Sequence, residues 1–117
     1  MPFTTIGNAA ATPFGGVFEG NGHTISGINI NGTTIYKNNL FGYCDNITVR
    51  NFTAEGKITT TAAYASIIGR VQNGATISDI TSKLDITSTG TSSAYASGIV
   101  SWLVGANGAK YNIERCE

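Results

Sequence analysis

Apolar residues along the chain occur in short runs, rich in isoleucine and valine, that are separated by threonine, serine, asparagine and glycine. No window places apolar side chains at positions i, i+3, i+4 and i+7 over three turns, so no amphipathic helix is predicted. Isoleucine, valine and threonine favour strands, whereas asparagine and glycine favour turns. The pattern therefore predicts an all-β chain.

Asn-Gly pairs stand beside these apolar runs and predict tight turns. The same pair is also the strongest local signal for an antiparallel hairpin, which keeps a small sandwich or barrel as a competing architecture. The four pairs are Asn21-Gly22, Asn31-Gly32, Asn73-Gly74 and Asn107-Gly108.

Similar segments recur along the chain at intervals of 24 to 36 residues. Units of this length with short strands and no helix cannot bury their own apolar faces, so they must stack. The matched segments are Ala63–Ser66 with Ala94–Ser97, Leu40–Gly42 with Ile67–Gly69, and Ile25–Ile28 with Val49–Phe52, Ile77–Ile80 and Ile113–Cys116. The spacing predicts a parallel β-helix of about four coils, at roughly 1–39, 40–64, 65–95 and 96–117.

The stacked coils would bury one set of side chains in a common core. The predicted inward residues are Phe18, Ile25, Ile28, Ile30, Phe41, Val49, Phe52, Ile58, Ile68, Ile77, Ile80, Ile86, Ile99, Ile113 and Cys116.

Length and charge exclude several classes of protein. A chain of 117 residues holds one domain. Its formal net charge is zero and it has no basic run, so it lacks the charge that a nucleic-acid partner requires. No stretch approaches the length of a membrane span, and residues 1–20 do not form a signal peptide. We expect a soluble chain without membrane insertion, from which any secretion signal has been removed.

Three segments of the first half together resemble the opening of the GLUG-type repeat family: Phe3–Asn8, Pro13–Ile28 and Leu40–Gly42. The Ile113–Cys116 segment looks like that family's Ile-Ser-Asn-Cys element. The resemblance implies right-handed β-helical coils in a bacterial secreted or cell-surface protein. It also implies an extracellular scaffold for adhesion or ligand display, with no catalytic residues of its own.

The chain stops at Cys116-Glu117, within a predicted strand. An open end of a stacked fold is an unpaired edge. We expect this edge to continue into a longer solenoid, of which the chain is a fragment, or to be covered by a partner or a second copy.

Aromatic residues supply the candidate binding site. Tyr64 and Tyr95 occupy equivalent positions and Tyr36 falls within one residue of the same column, which predicts a tyrosine ladder. Flat rings on a rigid, uncharged surface suit a sugar chain. A structural stack at the coil corner is the alternative. Trp102 is a further candidate ligand-binding residue, in a run that could equally be core.

Catalytic chemistry finds little support in the sequence. His23 is the only histidine and follows an Asn-Gly turn. Alignment of the coils puts Asn51, Asp79 and Arg115 in one column, which fits either a surface ion pair or a catalytic pair. The acids lack the spacing of a calcium loop. We therefore expect no enzyme activity, no cofactor and no metal.

Cys44 and Cys116 fall in different columns of the predicted coils, which predicts two buried thiols rather than a disulfide.

Two threonine tracts, Thr59–Thr61 and Thr87–Thr89, lie 28 residues apart. They could form hydroxyl ranks like those of β-helical ice-binding proteins, although outward threonines are also common in such coils.

These observations lead to one expectation and one alternative. The expectation is a non-enzymatic repeat segment of a bacterial secreted or cell-surface protein, located outside the cell, that acts in adhesion or as a spacer with a glycan as ligand. The alternative is the accessory β-helical part of a carbohydrate-active enzyme, a polysaccharide lyase or hydrolase, whose catalytic residues lie outside this chain.

Overall fold

The computed structural model describes residues 5–7, 9, 11–32, 38–61, 65–89, 97–105 and 108–117. These residues form strands and no helix, which confirms the all-β prediction. The strands are β1 (Val17–Gly32), β2 (Asn39–Thr60), β3 (Ser66–Ser88), β4 (Val100–Leu103) and β5 (Tyr111–Glu114).

The five strands form one sheet in which every described pairing is parallel. The order is β1-β2-β3-β4, and β5 also pairs with β3. The two short strands share one neighbour, because β4 pairs with residues 68–71 of β3 and β5 with residues 75–78. Antiparallel hairpins, the alternative that the Asn-Gly pairs left open, do not occur among the described strands.

The long strands bend within the sheet. β3 has 23 residues and would measure about 75 Å if fully extended, yet the largest extent of the molecule is 34 Å. Left-handed backbone interrupts the strands at Asn46 and Asn51 in β2 and at Asn73 and Asp79 in β3, with φ between 51° and 62°. Asparagine and aspartate adopt this conformation more readily than other non-glycine residues, because their short polar side chains bond locally.

The pairing between β2 and β3 follows the segments that were matched in the sequence. Phe41 pairs with Ile68, and Val49 pairs with Ile77, at offsets of 27 and 28 residues. Ile113 of β5 pairs with Ile77 in turn. The sequence alignment at these positions is confirmed.

The alignment of the Ile25 segment is wrong. Phe18, not Ile25, pairs with Val49, and Ile25 pairs with Ala54. The register shifts after Glu19 because the Asn21-Gly22 turn, with φ of 54° and 75°, adds two residues to β1. The turn predicted at Asn31-Gly32 is wrong, because these two residues continue the β1 pairing.

The core lies along the pairing of β2 with β3 and contains most of the predicted inward residues. Nine of them are buried: Ile28, Ile30, Phe41, Val49, Phe52, Ile58, Ile68, Ile77 and Ile80. Phe18, Ile25, Ile86, Ile99 and Cys116 pack against this core and are only partly buried. Ile113 was predicted inward but is exposed, because β5 lies at the edge of the sheet and has one neighbour.

Candidate functional site

The predicted tyrosine ladder lies outside the described residues, because Tyr36, Tyr64 and Tyr95 fall in segments that the structure does not describe. Trp102 is described, and it is the predicted binding residue from which the site can be built.

Trp102 lies on β4 and faces outward. The residue is 40% exposed, so the alternative that placed it in the core is wrong. Side chains alternate between the two faces of a strand, and the neighbouring Leu103 pairs with the buried Val71. The register therefore places Leu103 on the face of Val71 and Trp102 on the opposite face, and Leu103 is itself 37% exposed because it lies at the edge of the core.

Three side chains from neighbouring strands form a column on this outward face. Trp102 pairs with Arg70 of β3, and Arg70 pairs with Tyr43 of β2. Arg70 and Tyr43 are partly exposed, whereas the residues that follow them, Val71 and Cys44, are buried. We name Tyr43, Arg70 and Trp102 the aromatic–arginine column.

Arg70 connects the column to polar residues beside it. The guanidinium carbon lies 5.2 Å from the centre of the Trp102 ring, within the range of a cation–π interaction. The Arg70 Nη1 also donates a hydrogen bond of 3.3 Å to the Oε1 of Gln72. These two contacts place the guanidinium between the indole and the amide of Gln72.

Asp45 anchors the polar side of the column. The Gln72 Nε2 donates to its Oδ2 at 3.1 Å, and the Asn73 Nδ2 donates to its Oδ1 at 3.0 Å. The hydrogen bonds from Asn73 and Gln72 lower the pKa of the Asp45 carboxyl, despite the opposing effect of desolvation. The carboxylate is therefore ionised at neutral pH, with one amide donor on each oxygen.

A second polar cluster lies where the Asn51, Asp79 and Arg115 column was predicted. The Arg115 Nε and Nη2 donate to the two oxygens of Asp79 at 2.7 and 3.0 Å. Asn51, the third predicted member of the column, instead donates to Glu19 of β1, which also accepts a hydrogen bond from Arg50. The hydrogen bond from Arg115 lowers the pKa of Asp79. This arrangement agrees with the surface ion-pair interpretation of the column.

The remaining polar candidates lie apart from the aromatic–arginine column. His23 is exposed on β1, where its register partner is Phe52. Among the described residues, no three His, Cys, Asp or Glu side chains come together as a metal site requires. That same part of the chain contains no helix long and apolar enough to span a membrane.

The two cysteines are free thiols in different columns, as predicted. Cys44 is buried, and desolvation raises its pKa to about 12, so the thiol stays protonated. Cys116 is only partly buried, which corrects the prediction that both thiols are buried.

The threonine tracts are neighbours in the sheet. Thr59 of β2 pairs with Thr87 of β3 and, on its other side, with Asn31 of β1. Lys57 pairs with Asp85 two positions earlier on the same face, so charged residues border the hydroxyl rank.

Tyr43 and Arg70 were not identified as candidates from the sequence. The signal that could have found them is the match of Leu40-Phe41-Gly42 with Ile67-Ile68-Gly69, since the residue after each glycine then becomes a neighbour across the sheet. Arginine beside tyrosine in such a match indicates an outward position on both strands.

Comparisons with known proteins found no matching family model, no similar curated protein and no similar solved structure.

Proposed function

We propose that this chain is a non-enzymatic β-helical segment of a bacterial secreted or cell-surface protein, and that it binds glycans through the aromatic–arginine column. Parallel strands that bend at left-handed residues, and that stack like residues on like, support a β-helix. The resemblance of Phe3–Asn8, Pro13–Ile28 and Leu40–Gly42 to GLUG-type repeats supports the same architecture, with right-handed coils, and an extracellular location.

The observation that carries the proposal is the outward indole of Trp102 on the same column as Tyr43. Trp102 is 40% exposed even with Arg70 over its ring, so the exposed part of this large aromatic side chain can contact a flat apolar ligand surface. Neighbouring strands are about 4.8 Å apart, so the two aromatic positions are separated by about 10 Å across the sheet. A chain of sugar rings that runs across the strands can contact both.

Polar groups beside the column supply the hydrogen bonds that a sugar needs. Gln72 and Asn73 hold amide groups at the surface, and Asp45 offers carboxylate oxygens. Amides and carboxylates can exchange hydrogen bonds with hydroxyl groups that donate and accept. Because Asp45 and Gln72 bond to each other, the polar edge is ordered before a ligand binds, which reduces the entropy lost on binding.

Three of the acidic groups do not suit the role of a general acid. Hydrogen bonds from the backbone N–H of Asn21 and from the side chain of Asn51 lower the pKa of Glu19. Side-chain hydrogen-bond donors likewise lower the pKa values of Asp45 and Asp79. A general acid must hold a proton near the working pH, which requires a raised pKa. These three carboxylates have the opposite shift.

Native affinity electrophoresis through gels that carry plant, bacterial or host polysaccharides tests the proposal. The wild-type chain is run beside Trp102→Ala and its matched control Leu103→Ala. Leu103 is 37% exposed on the same strand but faces the other way. The tyrosine ladder is tested separately by Tyr64→Ala combined with Tyr95→Ala, and the gel polymer is checked for cleavage.

Retardation of the wild type and of Leu103→Ala, but not of Trp102→Ala, supports glycan binding at the column. Absence of retardation on every polymer contradicts glycan binding. Cleavage of any polymer contradicts the non-enzymatic role and favours the alternative, an accessory part of a carbohydrate-active enzyme. Melting temperatures of the variants show whether a loss of binding comes from unfolding.

A further inference from the structure

Arg70 differs from the other two arginines of the chain in its charge environment. Arg50 forms an ion pair with Glu19, and Arg115 forms ion pairs with Asp79 and Glu114. All seven acidic residues lie within the described part of the chain, and in that part no carboxylate oxygen comes within 4.0 Å of Arg70. Arg70 is therefore the arginine whose charge has no counterion in the protein.

Asp45, which Gln72 links to Arg70, forms no ion pair with it. Asp45 receives amide donors on both of its oxygens, and Gln72 stands between it and the guanidinium. Of the five N–H groups that a guanidinium carries, the contacts to described residues use one, the bond to Gln72. The others can bind a ligand.

The guanidinium also has two contacts that restrict its orientation. Trp102 lies under it, and Gln72 accepts a hydrogen bond from its Nη1. A planar guanidinium that is already oriented loses less entropy when it binds a carboxylate or sulfate with two parallel hydrogen bonds. An anionic group on a sugar ring that contacts Trp102 would lie within reach of Arg70.

We infer that the glycan bound by the aromatic–arginine column is anionic, and that its carboxylate or sulfate group is bound by Arg70. This inference rests on the proposed function, because it names the class of sugar that the proposed site would select. The aromatic side chains contact the sugar ring, and Arg70 recognises its charge.

General electrostatic attraction does not provide this selectivity. The formal net charge of the chain is zero, so the molecule as a whole does not attract polyanions. A preference for an anionic polymer must then come from a local group. Arg70 can be separated from the other arginines by substitutions that change the net charge equally.

The test uses pairs of polymers that differ in charge but share a backbone. Polygalacturonate is compared with its methyl ester, and dextran sulfate with dextran, by equilibrium titration of the full chain. The variants are Arg70→Gln, Arg50→Gln as the charge-matched control, and Trp102→Ala. The two polymer pairs distinguish a carboxylate ligand from a sulfate ligand.

We expect the wild type to bind one charged polymer at least tenfold more tightly than its neutral partner. Arg70→Gln should lose that preference, a change of about 1.4 kcal/mol or more, while Arg50→Gln keeps it within twofold. Trp102→Ala should weaken binding of both members of the pair. Unchanged melting temperatures would show that Arg70→Gln acts on binding rather than on folding.

Other results would overturn the inference. If the neutral and charged polymers bind equally and Arg70→Gln has no effect, the site is a glycan site without charge selectivity. In that case the proposed function stands and the inference fails. If Arg50→Gln weakens binding as much as Arg70→Gln, the preference comes from overall charge. If no polymer binds, both the inference and the proposed function fail.

Discussion

Replacing Ile77 by alanine tests the stacked core, because Ile77 lies in the middle of a column of paired apolar residues. It is fully buried, with Val49 on one neighbouring strand and Ile113 on the other. The change removes three methylene equivalents, each of which contributes about 0.8 kcal/mol when buried. Because the position is fully enclosed, the substitution also leaves a cavity, and the expected loss in the free energy of unfolding is about 3–4 kcal/mol.

Ile113→Ala is the matched control, because it makes the same chemical change at the end of the same column. Ile113 is 41% exposed, so part of its apolar surface already faces solvent and its removal leaves no closed cavity. We expect a loss of about 1 kcal/mol for this variant. The predicted difference between the two variants therefore comes from burial alone.

Urea denaturation followed by circular dichroism measures both changes through linear extrapolation, with the slope against urea unchanged. Ile77→Val, with an expected loss of about 1 kcal/mol, serves if the alanine variant does not fold. Equal losses for Ile77→Ala and Ile113→Ala would refute the reasoning, because they would show that the two positions are buried alike. A loss below about 1 kcal/mol for Ile77→Ala would do the same.

Three further predictions concern other parts of the molecule. Gly56→Ala should lower the free energy of unfolding by about 2 kcal/mol or more in urea denaturation, because φ is +149° and the added Cβ would overlap a carbonyl oxygen of β1. Gly98→Ala is the control and should change it by less than about 0.5 kcal/mol, because the nearest atom to the added Cβ is 3.9 Å away. Equal effects of the two substitutions would contradict this prediction. Asp79→Asn should lower the melting temperature at pH 7. The pKa of Asp79 is lower in the folded chain than its ordinary value of 3.8, so the ionised carboxylate stabilises the fold above pH 3.8, and this contribution falls as the pH drops from 3.8 through the folded pKa. The difference between variant and wild type should therefore shrink steadily as the pH is lowered below 3.8, and a difference that does not shrink would contradict the prediction. Iodoacetamide at pH 8 should modify Cys116 but not the buried Cys44 in the native chain, and it should modify both cysteines in urea. Mass spectrometry measures the labelling, and rapid labelling of Cys44 in the native chain would contradict its burial.

The strand class and the central pairing could be predicted from the sequence, because their signals are local and strong. The glycines and apolar residues of Leu40–Gly42 and Ile67–Gly69 align without insertions, and the two segments pair as expected. The pairing of β1 could not be predicted in the same way. The Asn21-Gly22 turn adds residues inside β1, and an alignment of apolar residues cannot detect such an insertion.

The candidate site was predicted in part. Trp102 was identified because it is the only tryptophan and stands in an apolar run, but the sequence could not decide whether it faced outward. That decision depends on the register of β4 against β3, which sets Leu103 beside Val71. The contact of Arg70 with Trp102 also depends on this register, because the two residues are 32 positions apart in the sequence.

The single tryptophan allows a direct test of the central claim, that a glycan binds at the aromatic–arginine column. The fluorescence of Trp102 is followed while polygalacturonate, dextran sulfate and their neutral partners are titrated into the wild-type chain, and acrylamide quenching is measured at each point. Glycan binding at the column predicts a saturable change in emission and reduced quenching with at least one polymer, and recognition of an anionic sugar by Arg70 predicts that this polymer is a charged one. Emission and quenching that stay constant with every polymer would contradict it.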